Sequence, residues 1–170
     1  MIELNHPPVV SIVGRSKSGK TTLIEKLIPL LKARGYRVGT VKHHAHPGFD
    51  IDIPGKDTWR HAQAGSDHVV IAAPDKLASI IQLPAPLSLP EILASMQDVD
   101  IVLTDGFRRA QNPKIEVLRA AVSTELLCDT TELIAIASDF ETNIGPPRFD
   151  INDAPGLAEL ILTRLLPKDS

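Results

Sequence analysis

The stretch Gly14-Arg15-Ser16-Lys17-Ser18-Gly19-Lys20-Thr21 carries the chain's clearest chemistry. It fits G-x-x-x-x-G-K-[ST], a loop built to cradle phosphate. Gly14 and Gly19 permit a tight turn that brings backbone N–H groups close to phosphate oxygens. Lys20 supplies a point charge for the β and γ phosphates, and Thr21 offers a hydroxyl to Mg²⁺. Arg15, Ser16, Lys17, Ser18 and Thr22 complete the expected phosphate-binding segment. The apolar run Val9-Val10-Ser11-Ile12-Val13 enters the loop as a buried strand would. Thr22 to Arg34 leaves it with helical spacing through Leu23, Leu27, Leu30 and Leu31. The motif in this frame predicts binding of a nucleoside triphosphate.

A second group of residues fits around that loop. Asp105 follows the apolar run Ile101-Val102-Leu103-Thr104 and precedes Gly106. A carboxylate at the carboxyl end of such a strand reaches Mg²⁺ directly or through water; the alternative is an Asp-Gly turn. Gly106 is a point at which the following loop could move with the state of the γ-phosphate. Asp50, Asp52 and Asp57 lie in a polar stretch, where an acid could hold Mg²⁺ or orient a hydrolytic water. Solvated loop acids are the other reading. His43, His44 and His46, with His61 and His68 further on, suggest metal, phosphate or substrate contact. Asp139 ends the run Ile134-Ala135-Ile136-Ala137-Ser138. A carboxylate there can accept bonds from guanine N1 and N2, or simply end a strand; the chain lacks the Asn-Lys-x-Asp form of that motif. Trp59 reads as a packing residue, Arg108 and Arg109 as surface cations or anion contacts, and Cys128 as a core or loop thiol.

The elements that must hold these residues alternate strand with helix. Strands are expected at 38–41, 101–104, 115–118 and 133–137, and helices at 56–64, 89–96 and up to Leu166 behind the N-cap candidate Asp153. Lys42 to Gly55 reads as a long loop, and Gly145-Pro146-Pro147 as a linker. His68–Ala73 and Leu77–Gln82, separated by Pro74-Asp75-Lys76, predict an antiparallel hairpin within 68–82. The expected fold is α/β and P-loop NTPase-like: a mostly parallel sheet flanked by helices, in one domain over residues 1–170.

Composition narrows the partners. The net charge is −3 and aromatic residues are 4% of the chain, which argues against nucleic acid. One cysteine excludes an internal disulfide. The first residues have no signal-peptide pattern and no apolar run has membrane-spanning length, so a soluble cytoplasmic protein away from membranes is expected.

The loop at 14–22, Lys42-His43-His44, the run Asp52-Ile53-Pro54-Gly55-Lys56-Asp57-Thr58-Trp59-Arg60-His61, Ala64-Gly65, Thr104-Asp105-Gly106-Phe107 and Pro113-Lys114-Ile115-Glu116-Val117 together resemble the MobB family. These are the molybdopterin-guanine dinucleotide biosynthesis proteins B. The P-loop is widely shared; the Pro-Gly-Lys-Asp-Thr and Pro-Lys-Ile-Glu runs are far more specific. The resemblance implies a cytoplasmic GTP-binding P-loop protein that forms a homodimer. It implies an accessory role to a MobA-type molybdopterin guanylyltransferase, with molybdopterin bound either here or only on that enzyme. It implies at most a slow GTPase, and adds weight to Asp52 and Asp57 as catalytic loop acids. Some dimeric relatives carry a lysine after the first P-loop glycine that reaches across the interface; here Arg15 stands there. The competing reading is a small-molecule kinase using ATP or GTP, with an acceptor held by His43, His44 and Arg60. A metal-delivery GTPase using the histidines is a third reading.

Overall fold

The computed structural model describes residues 6–44 and 48–166. His46 therefore lies outside the described residues. The chain divides into two compact units: Met1–His43 with Leu89–Ser170, and His44–Ser88.

The larger unit is built on a six-stranded sheet. Its strands are β1 (Val9–Val13), β2 (Val38–Lys42), β5 (Ile101–Asp105), β6 (Lys114–Leu118), β7 (Leu133–Ser138) and β8 (Arg148–Asp150). They run in the order β2-β5-β1-β6-β7-β8, with every pairing parallel. The α/β, mostly parallel architecture expected from the sequence is what the chain adopts. β8 was not expected. Only three residues long, it follows Gly145-Pro146-Pro147 and shows no periodicity of its own; pairing with β7 creates it.

Alternation along the strands sorts the two faces of the sheet. Val10, Ile12, Ile101, Leu103, Ile115 and Val117 share one core with helix α1 (Lys20–Ala33) and helix α4 (Ala154–Leu165). α1 contributes Leu23, Leu27 and Leu31 to it, and α4 contributes Leu157 and Ile161. The alternate positions Val9 and Val102 pack with Leu89 and Leu93 of helix α3 (Leu89–Ala94). Asp153 caps α4 as expected, accepting the Gly156 N–H at 3.0 Å.

Between those apolar patches the second face buries polar groups. Ser11, Thr104, Lys114 and Glu116 are all essentially inaccessible. Ser11 Oγ and Thr104 Oγ1 are 2.7 Å apart, and Asn112 Nδ2 donates to Ser11 Oγ at 2.9 Å. Lys114 Nζ donates to Glu132 Oε1 at 3.1 Å and to the Asn112 carbonyl. Glu116 accepts the Leu127 and Cys128 N–H groups at 2.6 and 3.1 Å. These partners let buried charge persist, and they tie the 119–129 segment to β6.

The smaller unit holds helix α2 (Asp57–Gln63) and the antiparallel pair β3 (His68–Ala73) and β4 (Lys76–Ile81). Ala73 pairs with Lys76, so Pro74 and Asp75 alone make the turn. Trp59, expected to pack, is half-buried, and α2 has no fully buried residue.

Candidate functional site

The loop between β1 and α1 needs unusual backbone angles. Gly14 has φ +144°, Lys17 +63° and Gly19 +105°. Glycine adopts such angles without a side-chain clash, and Lys17 takes one although it is not glycine. At Gly14 an added Cβ would fall 2.5 Å from the Val117 carbonyl oxygen of β6. Sheet packing therefore demands glycine there.

The loop, β2 and β5 bring their ends together. Thr21 Oγ1 donates to Asp105 Oδ2 at 3.1 Å, although the two residues are 84 positions apart. β5 runs parallel beside β1, so the end of β5 lies next to the loop that β1 feeds. Lys42, the last residue of β2, reaches the same Asp105 oxygen at 2.8 Å. Lys20 donates to the Gly14 and Arg15 carbonyls at 3.1 and 2.8 Å. Burial lowers the Lys20 pKa; Asp105 acts to raise it, and nearby Lys42 lowers it further.

These groups surround a cavity of about 410 Å³. It is lined by Ser16, Lys17 and residues 19–22, with Lys42, Asp105 and Arg119. Four cations (Lys17, Lys20, Lys42 and Arg119) face one carboxylate there, a balance that suits a polyanion. Lys42 and Arg119 were not singled out as site residues from sequence. Lys42 stood at the edge of a presumed loop, and Arg119 in a segment without a motif; only strand order brings them to the cavity. The hydroxyl of Thr21 and the carboxylate of Asp105 are hard oxygen donors, the type Mg²⁺ takes.

The turn after Asp105 is constrained. Gly106 and Phe107 both have positive φ, +102° and +57°. An added Cβ on Gly106 would lie 3.1 Å from His43 Cβ, and the His43 and Phe107 rings meet edge-on with centroids 4.9 Å apart. The backbone N–H of His43 donates to the Asp105 carbonyl at 3.0 Å. His43 thus braces the Asp105 turn. Among the described residues no group of three or more His, Cys, Asp or Glu is arranged to hold a metal ion.

Asp139 stands at the end of β7, and its carboxylate accepts the Ala120 N–H at 2.8 Å. Arg15 has its guanidinium 3.8 Å from Glu125 of the same chain. Arg108 and Arg109 are exposed. Cys128 is buried and its thiol pKa is pushed up to about 11, first by burial and then by Glu116, so it is a core thiol. Asp52 and Asp57 belong to the smaller unit. Asp52 Oδ1 accepts the Ile53 N–H at 2.8 Å, while Oδ2 is buried without a hydrogen-bond partner among the described residues. Asp57 opens α2, where a carboxylate favours the helix N-terminus.

A parallel sheet with a glycine-bent loop feeding a flanking helix defines an α/β protein of the P-loop NTPase-like type. Within that class, the family model for molybdopterin guanine dinucleotide synthesis protein B, MobB, matches residues 9–139. The chain belongs to the MobB family. It is 39% identical over 160 residues to the molybdopterin-guanine dinucleotide biosynthesis adapter protein of Haemophilus influenzae, covering 92% of this chain and 89% of that one. The Escherichia coli protein of the same name is 37% identical over 161 residues, covering 91% of each. The crystal structure of Bacillus subtilis MobB superposes with a TM-score of 0.77 at 29% identity, covering 95% of this chain and 99% of that one.

Proposed function

We propose that this chain is a GTP-binding accessory protein of molybdenum cofactor biosynthesis, acting beside a MobA-type molybdopterin guanylyltransferase. The family and the adapter proteins it resembles support the pathway. The observation that carries nucleotide binding is the contact of Thr21 with Asp105 at the rim of a cavity lined by four cations. The loop 14–22 holds the phosphates, with Lys20 on the outer pair. Thr21 and Asp105 would hold Mg²⁺, which when bound neutralises charge on the phosphate oxygens. Asp139 reads the guanine base, and Asp52 and Asp57 act in hydrolysis. Turnover is slow, below the enzymatic range of about 1–1000 per second. The protein is cytoplasmic and dimeric, and molybdopterin is a further contact.

The test is reconstituted synthesis of the dinucleotide cofactor from guanylyltransferase, molybdopterin and GTP. Adding this protein is expected to change the yield, and adding Lys20→Ala is expected not to. Parallel calorimetric titrations should favour GTP over ATP. An unchanged yield together with rapid phosphorylation of a small metabolite would reject the accessory role in favour of a kinase.

A further inference from the structure

Arg119 is the cation of the cavity that no motif accounts for. It follows directly on β6 and is half-buried. Its backbone is fixed from two directions. The Arg119 carbonyl accepts the Val122 and Ser123 N–H groups at 2.8 and 2.9 Å. The next residue, Ala120, donates its N–H to Asp139. The side chain is directed at the loop: an added Cβ on Gly19 would lie 3.4 Å from Arg119 Nη2. Gly19 is the N-cap of α1, so the guanidinium lies beside the start of that helix.

Its Nε is buried and has no hydrogen-bond partner among the described residues. A buried donor left unpaired is unfavourable, and one attached to a cation more so. A group of this kind calls for an explanation, and a role in a binding site is one. The other cations lining the cavity repel it, and the one lining carboxylate, Asp105, is already engaged by Thr21 and Lys42.

Strand order gives the direction of the ligand. β1 lies between β5, which carries Asp105, and β6, which leads to Arg119. A phosphate chain laid along the loop has its metal-binding end on the β5 side. Its other end lies on the side of β6 and β7, where Asp139 stands. We propose that Arg119 binds the inner phosphates of a nucleoside di- or triphosphate, the part shared by GTP and GDP, and that Asp139 holds it in position through Ala120. This deepens the nucleotide-binding reading above and rests on it.

The test is calorimetric titration of GTP and GDP into wild type, Arg119→Ala, Arg119→Lys and Lys20→Ala, each with Mg²⁺ and with EDTA. Arg119→Ala is expected to weaken GTP and GDP by the same factor, about tenfold to a hundredfold, in both conditions. Arg119→Lys, which keeps the charge but not the fork, should recover part of that loss for both ligands. Unchanged affinity in Arg119→Ala would overturn the inference. So would a loss confined to GTP, which would put the guanidinium at the terminal phosphate. Equal losses in the alanine and lysine variants with a lowered unfolding midpoint would make Arg119 a packing residue and also overturn it. If Lys20→Ala weakens binding and Arg119→Ala does not, this inference alone fails. If wild type binds neither nucleotide, the nucleotide reading fails with it.

Discussion

At the residue scale, the cavity is defined by which charges meet. Lys20 turns back onto the carbonyls of its own loop, where burial already lowers its pKa. A charge-assisted bond to phosphate is worth about 1.5–3 kcal/mol. Lys20→Ala is therefore expected to weaken triphosphate binding about tenfold to a hundredfold, read by calorimetry. Asp105 is held by Thr21 and Lys42 on one oxygen. Asp105→Asn keeps the shape and removes the anionic ligand, so GTP affinity should lose most of its Mg²⁺ dependence. Affinities that still differ with and without EDTA, as in wild type, would make Asp105 a turn residue. Glu116 tests burial rather than binding. Burial raises its pKa above the usual 4.5, against the opposing Leu127 and Cys128 N–H groups and the more distant Arg108 and Arg15. The folded state thus keeps the proton to higher pH than the unfolded chain. Its contribution is fully present below the unfolded pKa and is lost as pH rises through the folded one. Urea unfolding from about pH 4 to about pH 7 should show wild type losing stability relative to Glu116→Gln as pH rises.

At the element scale, the strands carry the positions and the helices carry the cover. Boundaries of β1 and β3 agree with the apolar runs that predict them; β1 is buried along its length, whereas β3 buries Val69 alone and is held by its pairing with β4. The end of β2 was less legible. Lys42 closes the strand although it is polar, since parallel pairing with β5 continues to Asp105. α1 runs through Pro29, an exposed residue well inside the helix. Proline there removes a backbone donor and crowds the preceding turn. Pro29→Ala is expected to stabilise the protein by up to about 3 kcal/mol, measured by denaturant unfolding. No gain would mean that the helix is already relaxed around the ring.

At the scale of the whole molecule, the His44–Ser88 unit presents an apolar surface. Phe49, Ile51, Ile53 and Leu77 are each 65% or more exposed, and Val70, Ile71 and Ile81 about half. The register of the pair puts Val70, Leu77 and Ile81 on one face; apolar side chains sharing a face mark an association surface, and the strand pair β3-β4 offers open edges besides. We expect light scattering at micromolar concentration to give about twice the 18.4 kDa chain mass. Leu77→Glu should shift the protein toward the monomer without loss of GTP binding, since Leu77 and the P-loop belong to different units. A monomeric wild type, with or without GTP, would count against this reading.

The sequence carries the phosphate-loop motif, the parallel α/β class and the hairpin in its own residues. These rest on local rules: glycine at strained φ, apolar period and turn chemistry. It also singled out Thr21 and Asp105 as partners. Residue order does not show that Lys42 and Arg119 join them, that Asp139 anchors Ala120, or that Lys114 and Glu116 of the Pro-Lys-Ile-Glu run are buried in a polar layer on one face of the sheet. These relations depend on which strands lie side by side. That order is set by long-range packing and pairing, for which neighbouring residues in the chain carry no signal.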